Sequence, residues 1–197
     1  MYVYIMNKES GKSEMIYIAI PNKNEINGRY AIIDGMNIAL CRKNKDKGIL
    51  NNLIRVYKKL QESYEHVEII ADASIKYKID DVQTLTQYEK KQKIFICPSG
   101  IVADDLILHR AFSLYNLGVP VTIVTNDNFP VNRFSIQYEN IRNLTVSILN
   151  DNSIYLLERD IRYLNNRDNK TTGDIGIDDE TEYRDLIVVS KNNEYKY

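Results

Sequence analysis

Apolar and polar positions along this chain fall into two periods, and the change from one to the other marks its elements. Two apolar runs, Tyr2 to Met6 and Met15 to Ile20, flank the polar, glycine-containing NKESGKSE and predict an N-terminal β-hairpin. After Pro21 and the polar link NKNEING, the run Tyr30 to Ile33 stops at Asp34-Gly35, as a buried strand ending in a turn would. From Gly48 to about Tyr64, Leu50, Leu53, Ile54, Tyr57 and Leu60 recur at helical spacing and predict an amphipathic helix. A second strand over Val67 to Ala71 is followed by a short helix around Val82, Leu85 and Tyr88. Lys93 to Cys97 then makes a third strand, ended by Pro98, Ser99 and Gly100. The next helix starts near Ala103, buries Ile107, Ala111, Leu114 and Tyr115, and ends at Gly118. Val121 to Thr125 is a fourth strand. Phe134 to Asn143 reads as a short helix, and Leu144 to Leu149 as a fifth strand that Asn150 to Ser153 can fold back onto Ile154 to Leu157.

Strands alternating with helices imply right-handed crossovers and a parallel sheet covered on both faces. The expected fold class is therefore α/β, a three-layer Rossmann-like domain with a central parallel sheet of about five strands in the order 3-2-1-4-5. The N-terminal hairpin is an appendage to it. Residues 1–28 form the extension and 29–164 the core domain. Residues 165–197 hold an acidic linker around DNKTTGDIGIDDE and a last predicted strand, Leu186 to Val189.

Composition narrows the functional classes. A chain of 197 residues is long enough to bury a core without disulfides, and its two cysteines, Cys41 and Cys97, lack any CxxC or Cys/His spacing. No stretch approaches the ~18 to 20 apolar residues of a membrane span, and the first residues do not form a secretory leader. A soluble, cytoplasmic protein with no membrane partner is expected. A net charge of −1 excludes a general polycation that coats nucleic acid, so any phosphate contact must be a local patch. The 15 tyrosines accompany a general richness in Ile, Asn and Lys and carry no functional weight.

The predicted elements bring four acids together. Asp34 ends the first core strand, Asp104 and Asp105 open the helix after the third, and Asp127 lies just beyond the fourth. In an open α/β sheet, ligands bind beyond the carboxyl ends of the strands where the strand order reverses. Several carboxylates in one crevice repel one another unless a cation compensates. An all-oxygen set favours Mg²⁺ or Mn²⁺, an ion suited to activating water and neutralising charge on a phosphoryl oxygen. Phosphodiester hydrolysis is the chemistry this implies. Each acid also has an ordinary role open to it: Asp34 as a turn residue, Asp104 as a helix N-cap, Asp127 as a cap of the next turn. Because adjacent helix positions face different ways, one of the tandem pair should enter the crevice. Asp105 is favoured as the ligand with Asp34 and Asp127.

The segments IIDGMNIAL, ICPSGIVADDLILHRAF and IVTNDNF resemble the NYN branch of PIN-like nucleases, most closely the ribonuclease domain of the Regnase type. The similarity runs from about Arg29 to Leu157. It implies a PIN-like (NYN) fold and Mg²⁺-dependent endonucleolytic cleavage of RNA, single-stranded or in stem-loops. On its motifs Asp34, Asn37, Asp104, Asp105 and Asp127 are the catalytic set. Asn37 orients substrate or metal-bound water, with capping of the turn as its alternative, while Thr125 and Asn126 support the metal site and its substrate. The chain departs from the Regnase type in lacking a CCCH zinc finger and in a shorter loop before the acidic helix.

The basic run from Cys41 to Lys47 follows the DGMN turn, and Arg42 and Lys43 are candidate phosphate contacts; a solvated loop is the plainer reading. His109 shares a helix face with Asp105 without a required role, and Asp72, at the end of the second strand, is expected outside the cluster. A receiver domain would need an acid pair after the first strand, and a nucleotide-binding module a GxGxxG or Walker loop; neither pattern is present. A structure-specific DNA nuclease with the same metal chemistry and a catalytically inactive RNA-binding domain remain as alternatives. The two terminal segments are candidates for a homo-oligomer interface or an RNA-binding extension.

Overall fold

The computed structural model describes residues 2–6, 13–17, 28–41, 47–127, 141–149 and 153–159. Two strands near the N-terminus, β1 (Tyr2–Met6) and β2 (Ser13–Tyr17), pair antiparallel with Tyr2 opposite Tyr17. The second of them begins two residues before the apolar run Met15 to Ile20, whose residues 18–20 lie outside the described ones. The core then runs β3 (Tyr30–Asp34), α1 (Gly35–Ala39), α2 (Leu50–Leu60), β4 (His66–Ala71), α3 (Ile75–Lys78), α4 (Val82–Lys90), β5 (Ile94–Ile96), α5 (Ala103–Asn116), β6 (Val121–Val124), β7 (Arg142–Ile148) and β8 (Ile154–Arg159).

Six strands form the central sheet in the order β5-β4-β3-β6-β7-β8; counted from β3 as the first core strand, this is 3-2-1-4-5-6. All neighbours pair parallel except β7 with β8, which is antiparallel. The sheet is therefore mixed and mostly parallel, one strand wider than the expected five because the predicted fold-back after β7 adds an edge.

Period-2 alternation distributes β3 between two apolar layers. Tyr30 and Ile32 pack with Val121 and Ile123 beneath α5, where Leu106, Ile107, Ala111 and Leu114 meet them. Ala31 and Ile33 face the other way, into a layer formed by Leu53, Val56 and Leu60 of α2, with Leu85 of α4 and Val124 and Val146 of the sheet. With both faces covered, β3 is buried at every position.

Aspartate side chains, two of them distant in sequence, hold the helix starts. Asp80 accepts the Leu50 N–H at 2.8 Å at the head of α2, Asp72 accepts the Ala103 N–H at 2.9 Å at the head of α5, and Asp81 caps α4 through the Thr84 N–H at 2.9 Å. Past the end of α5, Gly118 adopts φ +76°, the left-handed conformation that closes a helix and favours glycine. Gly35 answers a different need. A Cβ there would lie 2.9 Å from both the Ala71 Cβ and the Ile69 Cγ2, so the chain can leave β3 and lie on β4 only without a side chain.

The apolar pattern misses three features. Gly35–Ala39 is a short helix rather than a plain turn, and α3 is an additional one. Strand β7 begins at Arg142, so residues 142 and 143 are strand where a helix over Phe134 to Asn143 is expected; residues 134–140 lie outside the described ones. The linker from Asn165 and the strand Leu186 to Val189 also lie outside the described residues. Among the described residues no helix is long and apolar enough to cross a membrane.

Candidate active site

The register of the central pair builds the site. Ile33 lies beside Val124, which places the next residues, Asp34 and Thr125, side by side at the carboxyl edge where β3 meets β6. This is the topological switch point: from β3 the chain proceeds toward β4, while β6 and β7 extend the sheet the other way.

Asp34 is only 3% exposed. Its Oδ1 accepts the backbone N–H of Asn37 at 3.2 Å, capping α1, and its Oδ2 accepts the Thr125 hydroxyl at 2.9 Å. The Thr125 Oγ1 in turn accepts the Asp127 N–H at 3.1 Å, so one hydroxyl ties the end of β3 to the turn carrying Asp127. Burial raises the Asp34 pKa from its ordinary 3.8 to about 7; the bonds from Asn37 and Thr125 oppose that rise, and the negative charges of Asp104 and Asp127 add to it.

Asp104 and Asp105 occupy the first turn of α5. Asp104 acts electrostatically on Asp34 and Cys97, whereas Asp105 acts on His109, one turn along the same helix. The charge of Asp104 is thus among those that act on Asp34. Val102 is the N-cap, so Asp104 lies within the helix and is not itself the cap. Burial lowers the His109 pKa, and Asp105 partly offsets the effect.

Asn37 and Asn126 brace the site from within. The Asn37 Oδ1 accepts the Asn126 N–H at 2.8 Å. The Asn126 side chain then pairs with the backbone of Val146, accepting its N–H at 2.6 Å and donating to its carbonyl at 2.9 Å. An amide side chain thereby continues the β6–β7 ladder one step past the point where the β6 backbone leaves it. Cys41 joins the same knot, with its Sγ 3.3 Å from the Asn126 Nδ2 and 3.4 Å from the Val146 carbonyl. Thr125 is 2% exposed, and its hydroxyl and the Asn126 amide are engaged by Asp34, Val146 and Cys41. Arg42 and Lys43 lie outside the described residues.

Asp72, which strand order alone sets apart from the cluster, borders it. It holds the start of α5 through Ala103 and adds its charge to that of Asp104 near Cys97. Burial, reinforced by these two acids, pushes the Cys97 thiol up to about 12. The signal available in the sequence was an aspartate closing a strand, the same one that identifies Asp34.

Among the described residues, no three His, Cys, Asp or Glu side chains are gathered closely enough to hold a metal ion by themselves. The donor chemistry nevertheless fits a hard divalent cation. Asp34 is a desolvated carboxylate on which the charges of Asp104 and Asp127 act, and each of its oxygens accepts one hydrogen bond and retains a further lone pair. Mg²⁺ keeps several waters and takes one or two carboxylates together with substrate oxygens, a smaller demand than a full protein cage.

No family model matches the chain, and no curated protein sequence matches it.

Asn126→Ala removes the bonds to Val146 and leaves that backbone without its partner. Urea denaturation should show a loss of about 1–3 kcal/mol; a loss below a few tenths would mean that water replaces the amide without cost.

Proposed function

We propose that the aspartates at the carboxyl edge of the sheet form the centre of a metal-dependent endoribonuclease of the PIN-like, NYN type, acting in the cytoplasm. The observation that carries this reading is Asp34 itself: a carboxylate held at a strand end and 3% exposed, whose burial, with smaller contributions from the charges of Asp104 and Asp127, raises its pKa to about 7. A protein retains such a group against its desolvation penalty where a cation offsets it.

Asp34 and Asp127, with Asp105 or Asp104 from the tandem pair, would hold Mg²⁺ or Mn²⁺. When bound, such an ion supplies an activated water and neutralises charge on the phosphoryl oxygens. The chain's own residues orient these acids. Thr125 and the Asn37 N–H fix both oxygens of Asp34, the Asn37–Asn126–Val146 bonds hold the Asp127 turn against β7, and Asp72 sets the start of α5 that carries Asp104. The choice of RNA rests on the resemblance of the DGMN, ADD and TND segments to the NYN nucleases, since carboxylates alone do not separate RNA from DNA.

The test is incubation of 5′-labelled RNA and DNA, single-stranded and stem-loop, with Mg²⁺ or Mn²⁺ and with EDTA. Internal cleavage of RNA that EDTA abolishes is expected. Cleavage confined to DNA would replace the substrate in this reading, and retention of RNA without cleavage in either metal would replace catalysis with binding.

A further inference from the structure

The opposite end of the same sheet holds a cavity of about 350 Å³, at the beginnings of β3, β6 and β7 and the end of α5. Tyr30 to Asp34 spans four residue steps, so the cavity lies about 13 Å along β3 from the aspartates. Its volume falls within the range of small-molecule sites.

Its lining is chemically uneven. Arg29 and Arg142 are both among its lining residues. Between the elements that carry them lies Tyr64, 8% exposed, whose hydroxyl donates to Thr122 Oγ1 at 3.2 Å and shares a hydrogen bond with Arg142. Arg29 lies over the Tyr64 ring, 5.7 Å from its centroid. Tyr115 is 38% exposed and offers an aromatic ring to the space, and Val119 and Val121 supply apolar wall.

The two arginines are held in readiness rather than buried in pairs. Arg29 meets Glu65 at 4.0 Å with both side chains about half exposed (54% and 51%), and Arg142 meets Glu158 at 3.0 Å with exposures of 46% and 47%. Ion pairs this exposed contribute little and exchange readily for a better acceptor. Phosphate is that acceptor, since it takes the planar guanidinium fork in two parallel bonds. An aromatic ring beside the forks suits a nucleobase, which stacks on tyrosine regardless of its sequence.

We infer that this cavity binds a nucleoside phosphate, its phosphate bridging Arg29 and Arg142 and its base against Tyr115. The ligand's chemistry is shared by a free mononucleotide and by the phosphorylated end of an RNA strand. This site is separate from the aspartate cluster and does not depend on the activity proposed for it.

Isothermal titration in EDTA, which removes metal-mediated binding, uses adenosine monophosphate, adenosine, inorganic phosphate, and a short RNA with and without a 5′-phosphate. The monophosphate should bind more tightly than adenosine or phosphate alone. The Arg29→Gln/Arg142→Gln variant should weaken it about tenfold or more, while Glu158→Gln, by releasing Arg142, should tighten it about threefold. Asp34→Asn should bind the monophosphate as well as the original chain, which separates this inference from the nuclease reading. Binding by the free monophosphate identifies a nucleotide site, and binding only by the phosphorylated RNA identifies a strand-end site. The inference is overturned if neither binds, if the phosphate makes no difference, or if the arginine and glutamate variants leave affinity unchanged.

Discussion

Asp34→Asn is expected to reduce metal-dependent cleavage by roughly 10²- to 10³-fold, the scale on which single electrostatic groups act in catalysis, and at the same time to make the protein more stable at pH 8. The two effects have one origin. The Asp34 pKa rises from 3.8 when unfolded to about 7 when folded, so the folded protein holds this proton more tightly. The resulting stabilisation is complete below about pH 4 and is lost as pH rises through about 7; its full size is on the order of 4 kcal/mol. Above that window the native state carries a buried charge. Asparagine carries none and still presents an oxygen to the Asn37 N–H, although its amide obliges the Thr125 hydroxyl to turn from donor to acceptor. Relative to the variant, the original chain should lose stability between pH 4 and 7, as urea denaturation at a series of pH values would show. A bound cation reverses the logic by favouring the carboxylate, so Mg²⁺ at pH 8 should raise the thermal midpoint of the original chain and leave that of Asp34→Asn unmoved. Cleavage should rise with pH as Asp34 loses its proton, and at lower pH when more Mn²⁺ is supplied. An equal Mg²⁺ shift in both proteins would place the cation elsewhere.

The layers of the fold were legible because burial imposes a period. Ala31 and Ile33 enter one core and Tyr30 and Ile32 the other, and the continuous apolar run that follows is the mark of a strand covered on both faces. The positions of Asp34 and Asp127 follow from the same signal, since each lies at or just past the end of such a run. Orientation was not legible in that way. Successive residues on a helix differ by about 100°, so choosing between Asp104 and Asp105 requires the phase of α5. The start of α5 is held by a bond between Ala103 and Asp72, 31 residues apart. Likewise Asn37 and Asn126 are 89 residues apart, and Asn126 finds Val146 only after β7 has taken its place beside β6. A local reading assigns such asparagines to turns or to substrate. Their use as cross-links between strand ends emerges only from the assembled sheet.

Glu68→Ala should be the most damaging substitution away from the aspartates, with an expected loss of about 3 kcal/mol in urea denaturation. Glu68 on β4 accepts from Arg110 Nε at 2.8 Å and from Arg110 NH2 at 3.1 Å, and from the Tyr30 hydroxyl at 2.7 Å. Arg110 also donates to the Tyr30 hydroxyl at 3.0 Å and lies over that ring, 5.5 Å from its centroid. The Arg110 side chain is 7% exposed, so removing Glu68 takes two charge-assisted bonds from a buried cation, whereas forming such a pair gains little over apolar packing. The triple variant Tyr30→Phe, Glu68→Met, Arg110→Met should therefore recover most of what Glu68→Ala loses. If the triple variant is no more stable than the single one, the cost lies in packing volume and not in stranded charge. What the ion pair adds over such a core is direction. A guanidinium joined to β4 and β3 at once ties α5 to both strands. Asp104 lies on the same helix as Arg110, and its charge acts on Asp34.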